Sequence, residues 1–111
     1  MATNTVINVL QGNDATVNLG VLSDTGASQD CTGLTPVMTV KGYELAPDTG
    51  ATQLTIGAGL AWVTQAEGTL TATLSHELLA SAGSLWWRLD LLDDVGDRTT
   101  AMFGPLIITA V

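Results

Sequence analysis

Hydrophobic and polar residues alternate along most of this chain with a period of two. Val17, Leu19 and Val21 alternate with Thr16, Asn18 and Gly20, and Leu70, Ala72 and Leu74 alternate with Thr69, Thr71 and Thr73. A strand turns successive side chains to opposite faces, so this is the pattern of half-buried strands. Residues 5–11, 34–41, 53–56 and 60–65 read as strands on similar grounds, and 84–111 reads as two or three more around an acidic turn at Asp93, Asp94, Val95, Gly96 and Asp97. Gly12, Asn13 and Asp14 predict a hairpin or a strand kink between 5–11 and 15–22, and Ala66, Glu67 and Gly68 predict a hairpin between 60–65 and 69–75. The stretches 23–33 and 42–51 concentrate Gly with Ser, Asp, Thr or Pro and read as loops. Pro36 marks an edge or entry position, because proline cannot donate to a ladder.

One segment breaks the two-residue rhythm. Ser75 is placed as an N-cap and Glu77 near a positive helix end, which predicts one short helical turn near 76–80, closed by Gly83. The expected fold is therefore all-β, a two-layer antiparallel β-sandwich of seven to nine short strands with that single helical turn. With 111 residues, the chain is long enough for one core and too short for two, so residues 1–111 are read as a single domain.

Composition adds a surface argument. Hydrophobic residues make up 46% and charged ones 13%, against about 25% charged in ordinary soluble chains. With a mean hydropathy of +0.35, so small a unit has too little interior for its apolar area and leaves patches of the kind that mark contact sites. The formal net charge is −8, and Lys41, Arg88 and Arg98 are the permanent cations. Nucleic-acid binding needs clustered cations to displace counterions from phosphates, so it is excluded as a function. Anionic membrane surfaces are disfavoured by the same sign argument. The start of the chain has no basic and apolar pattern of a signal peptide, and no apolar run nears the roughly 18 residues of a membrane span, so synthesis in cytoplasm without secretion is expected. The single Cys31 has no internal partner and reads as a reduced structural thiol.

The chemistry-bearing residues do not assemble into a catalytic set. His76 is the sole histidine, adjacent to Glu77 in the expected turn, and reads as a solvated or capping side chain rather than a general base. No G-x-S-x-G elbow, H-E-x-x-H pair or phosphate-binding glycine loop is present, and one His with one Cys cannot make a zinc site. Asp90, Asp93, Asp94 and Asp97 supply oxygen ligands in principle. The sequence around them is nevertheless what a β-turn demands, with Asp bonding its own backbone and Gly taking positive φ. The reading is of a protein that is not an enzyme, with no catalytic, cofactor-binding or metal-binding residues and no cofactor.

The segment 84–92 is the most informative. Trp86 and Trp87 cannot enter the same core from one strand, and neither can Leu91 and Leu92. Trp87, in phase with Leu89 and Leu91, is assigned to the core. Trp86 then shares the other face with Arg88, Asp90 and Leu92. Trp beside Arg is the pairing enriched at binding hot spots, so Trp86, Arg88 and Leu92, with the third tryptophan Trp62, are the candidate interface. Two other readings of that face stand beside docking: cover by the chain's own loops, and a tryptophan platform for carbohydrate.

The stretch LWWRLDLLDDVGDRTTAMFGPLIIT joins an aromatic strand, an acidic turn with Gly, a polar strand, then Gly and a short apolar strand. It resembles small immunoglobulin-like domains of tailed-phage virions, above all the N-terminal domain of baseplate upper proteins and related stand-alone head or tail modules. Ser23, Asp24, Thr25 and Gly26 followed by Cys31, Thr32, Gly33 and Leu34, and Glu67, Gly68, Thr69 and Leu70 before a strand, echo the same layout. The resemblance spans most of the chain; the doubled Trp86-Trp87, the scarcity of lysine and the lack of a long C-terminal extension depart from the pattern. It implies an immunoglobulin-like sandwich and a structural subunit of the virion. Its partners would be other virion structural proteins of the capsid, neck or tail and baseplate, with a homo-oligomer as a further option. A carbohydrate-binding or adhesion module is the alternative function.

Overall fold

Nine strands organise the chain: β1 (Thr3–Asn4), β2 (Ile7–Leu10), β3 (Ala15–Gly20), β4 (Thr35–Lys41), β5 (Thr52–Ile56), β6 (Gly59–Thr64), β7 (Thr69–Leu74), β8 (Gly83–Leu92) and β9 (Arg98–Thr109). They belong to a computed structural model that describes residues 3–23, 25–49 and 51–110. The expected β content is present. The strands form one hydrogen-bonded sheet in the order β1-β9-β8-β4-β5-β6-β7-β3, with β2 beside β1 on the outer edge of β9.

That sheet is mixed, which corrects the expectation of a purely antiparallel sandwich. β1 and β2 run parallel to β9, with Ile7 opposite Leu106 and Leu10 opposite Thr109. The expected hairpin at Gly12-Asn13-Asp14 is also corrected, because the chain there crosses over: β2 pairs with β9 while β3 pairs with β7. The two layers are not separate either. At the corner between β5 and β6 the backbone of Thr55 exchanges hydrogen bonds with Ala58, at 3.3 and 2.9 Å, and Gly57 N–H donates to the Leu60 carbonyl at 3.1 Å. Gly59 permits this corner, since its φ of 107° suits glycine and a Cβ there would lie 2.8 Å from Leu54 Cδ2.

The sheet curls so that its inner face closes on one core. Leu19 from β3, Met38 and Val40 from β4, Leu60 from β6, Leu70, Ala72 and Leu74 from β7, Trp87 and Leu89 from β8, and Leu106 and Ile108 from β9 meet there. The alternation of β7 is the one read from sequence, with Leu70, Ala72 and Leu74 buried and Thr69, Thr71 and Thr73 outside or half-covered. Cys31 is fully buried in the same cluster and free, although its neighbours are polar. Burial, and secondarily the Asp30 carboxylate beside it, pushes its thiol pKa up.

Segment 75–80 is a turn rather than a helix. Ser75 does cap it, its Oγ accepting from Leu78 N–H at 3.3 Å, and Leu79 N–H donates to Ser75 O at 3.2 Å. The turn goes no further: Leu79 O accepts from Gly12 N–H at 2.9 Å and Ala80 O from Gln11 Nε2 at 2.9 Å, and by Gly83 the chain has already entered β8. The described helix lies instead at Gln65–Glu67, a single 3-10 turn inside the β6–β7 hairpin.

The C-terminal region is two long strands, within the expected two or three, since β9 runs unbroken through Gly104 for 12 residues. Between the pairs Leu89–Met102 and Asp90–Thr100 the register shifts, leaving Ala101 as an extra residue in β9. Ala101 and Met102 are both buried in the core as a result.

Candidate functional site

β8 separates its two faces as the sequence pattern predicts. Trp87 and Leu89 are fully buried and Leu91 nearly so, while Trp86, Arg88, Asp90 and Leu92 lie on the opposite, outward face. Cross-strand neighbours stand directly opposite one another, so this face can be assembled residue by residue. Trp86 lies between Lys41 of β4 and Pro105 of β9, Arg88 between Thr39 and Phe103, Asp90 between Val37 and Thr100, and Leu92 between Thr35 and Arg98.

Trp86 is partly covered rather than free. Its ring packs on Phe103 with centroids 5.9 Å apart and planes tilted by 36°, within the range of roughly 4.5–7 Å of interacting aromatic pairs. Trp62 sits elsewhere, on β6 opposite Leu70, and packs against the core. The structure thus brings together three of the four candidate interface residues and leaves Trp62 apart from them.

Charge is organised on the same outward face. Lys41, Arg88 and Arg98, the permanent cations of the chain, all pair with carboxylates there. Asp90 is fully buried: its Oδ2 accepts from Arg88 Nε at 2.8 Å and Arg98 NH1 at 3.1 Å, and its Oδ1 from Thr100 at 2.8 Å. Asp90 is therefore an ion-pair centre and not a member of the acidic turn. In that turn Asp93 Oδ1 accepts from the main-chain N–H of Val95 at 3.0 Å and of Asp97 at 2.9 Å, the backbone bonding expected of a turn aspartate. Among the described residues no group of His, Cys, Asp or Glu is arranged to hold a metal ion.

The ion pairs pin the loop 42–51 onto the sheet. Asp48 accepts from Arg88 NH2 at 2.7 Å and from Lys41 Nζ at 3.2 Å, and Lys41 Nζ also donates to Ala46 O at 2.9 Å. Hydrogen bonds from Arg88 and then Lys41 hold the Asp48 carboxyl below the usual carboxylate range. The pinned loop presents Tyr43, 64% exposed, and Leu45, 88% exposed. Sequence reasoning missed both, treating 42–51 as a connector; the signal was two large apolar groups within a stretch otherwise built of turn formers. A groove of about 760 Å³ separates this loop from the 75–85 segment, with Lys41, Pro47, Glu77, Leu78 and Leu85 among its walls.

His76 lies apart from these groups. Its main-chain N–H donates to Asp14 Oδ1 at 2.6 Å and its ring Nδ1 is 2.9 Å from the same oxygen, so it ties the 75–80 turn to the start of β3. Asp14 is the capping group here, and the His76 side chain, 60% exposed, is the solvated alternative of the two expected. The candidate site is thus a partly apolar sheet face and a pinned loop with a groove beside it.

The architecture is that of an all-β domain whose fold has a solved counterpart. In particular, it is similar to the N-terminal domain of phage TP901-1 ORF48, with a TM-score of 0.67, 13% sequence identity, and coverage of 97% of this chain and 89% of that one. The likeness holds at the level of the fold. No family model matches the sequence, and no curated protein matches it. No helix among the described residues is long and apolar enough to cross a membrane.

Proposed function

We propose that this protein is a structural subunit of a tailed-phage virion, a non-enzymatic module that docks on other proteins of the capsid, neck or tail and baseplate. The observation that carries this reading is the likeness of fold to a phage domain over 97% of the chain. Fold alone does not decide function, so the surface chemistry matters beside it. A chain of net charge −8 gathers its few cations on one partly apolar face, and that face carries Trp86, Arg88 and Leu92. The strand order supports an immunoglobulin-like ancestry as well: β9, β8, β4 and β5 on one side and β6, β7 and β3 on the other follow the order of the two layers in a variable-type domain.

Docking is assigned to the outward face of β8 together with the pinned Tyr43 and Leu45, and Trp62 is proposed as a contact only at its exposed fringe. In a symmetric particle each small contact is repeated, so an interface of less than about 1,000 Å² holds through avidity. The test is mass spectrometry of purified particles carrying wild-type chain, Trp86→Ala or Leu92→Asp. Wild-type chain is expected in particles, while each variant unfolds cooperatively in isolation and is incorporated at least ten-fold less. Wild-type incorporation of both variants would remove this face from the interface, and absence of the wild-type chain from particles would remove the virion role.

A further inference from the structure

The two ends of the curled sheet, β2 and β3, border a common groove of about 540 Å³ without bonding to each other. Every described residue of 3–10 that enters a ladder pairs with β9, which leaves the outer edge of β3 unpaired among the described residues. The groove is lined by 5–8, by 16–20 and by Met102, and not one of these residues is ionisable. That is notable in a chain with 11 acidic residues. Natural edge strands are usually guarded by lysine, proline, a bulge or an inward charge. β3, with the sequence ATVNLG, has none of these.

We propose that this seam receives an extended strand from another polypeptide. Unpaired N–H and C=O groups along β3 and on the open side of β2 would bond the incoming backbone, as in other cases of strand addition. β2 stands across the groove, so the occupant must have both of its own edges free. It is an arm or a chain end rather than the edge of a folded sheet. Its chemistry follows from the lining: uncharged over about five or six residues, the length of an ordinary strand, with apolar side chains at alternate positions to meet Ile7, Val17 and Leu19, and Thr- or Asn-like groups between them. A charged residue in that stretch would be desolvated without a partner. That the arm belongs to a virion protein rests on the function proposed above; the strand-binding property does not.

Amide hydrogen exchange of the intact chain, read by mass spectrometry, tests it. The probe is the synthetic uncharged peptide Thr-Val-Thr-Val-Thr-Val with blocked ends. Exchange in 7–10 and 15–20 is expected to slow at least ten-fold at saturating peptide, with the rest of the chain unchanged. Val17→Lys, which places a guard charge on the edge, is expected to abolish the effect, and Asn18→Lys serves if the first variant does not fold. No protection, or protection elsewhere, overturns the proposal. The same measurement on purified particles separates it from the virion role. A chain present in particles but unprotected in 15–20 both there and with peptide defeats the seam and leaves the role standing. A chain absent from particles but protected by peptide defeats the role and leaves the seam standing.

Discussion

The indole Nε1 of Trp87 donates a hydrogen bond to the main-chain carbonyl of Thr5 at 3.2 Å, across 82 positions of sequence. Thr5 lies between β1 and β2, and its own N–H donates to the Phe103 carbonyl at 2.8 Å. Gly104, the cross-strand partner of Trp87, makes the approach possible, because a Cβ at 104 would collide with the Thr5 carbonyl. A buried tryptophan needs a partner for its N–H, and here a glycine on the neighbouring strand lets the chain's first segment supply it.

Gly104→Ala is therefore expected to displace 3–10 from the edge of β9 and to strand the Trp87 N–H. The cost should be about 2 to 4 kcal/mol, the range for overpacking combined with a buried unsatisfied donor. Urea titration followed by tryptophan fluorescence measures it. A variant as stable as the wild type would show that the contact at Thr5 is dispensable.

Asp90→Asn keeps shape but removes the charge that Arg88 and Arg98 share. Truncating a fully buried pair costs about 3 to 5 kcal/mol. Arg98 is 43% exposed and Arg88 22%, so water compensates part of the loss and about 2 kcal/mol is expected. The same urea titration reads it, and a loss below about 0.5 kcal/mol, the level of an ordinary surface change, would mean that the cluster is structurally idle.

Acid should loosen two loops before the core. Asp48, held low by Arg88 and Lys41, and Asp14, held low by its bonds to His76, both have carboxyl pKa values below the usual range. A carboxylate whose folded pKa is depressed contributes stability that is complete above the unfolded value of about 4 and is lost as pH falls through the folded one. Limited proteolysis between roughly pH 6 and pH 2.5 is expected to show 42–51 and 75–80 becoming cleavable at the acid end. Asp48→Asn should make 42–51 cleavable across the whole range. Cleavage of 42–51 that ignores both pH and the substitution would refute the pinning.

Much of this was legible in the chain. Period-two alternation located β3 and β7, β-rich runs bounded by turn residues located β4 and β6, and the phase of Trp87, Leu89 and Leu91 sorted the faces of β8, because successive side chains of a strand take opposite faces. Pairing was less legible. The segment around Ile7 reads equally well as a hairpin partner of β3, and its parallel course along β9 depends on Gly104 and Trp87 far away in sequence. The turn at 75–80 is likewise tied down from far away in sequence, by Gln11 and Gly12. The ion-pair ladder was invisible because Asp90 looks like its turn neighbours until Arg88, Arg98 and Thr100 are seen around it.

The supernumerary Ala101 in β9 acts as a phase shifter. Before it, Arg98 and Thr100 point outward to serve Asp90; after it, Met102, Leu106 and Ile108 point inward to the core. Without that single alanine Thr100 would still face Asp90 and Met102 would still face Leu89 in one unbroken ladder, so the insertion is a local swelling of the strand that puts one more small apolar side chain into the interior beside Met102.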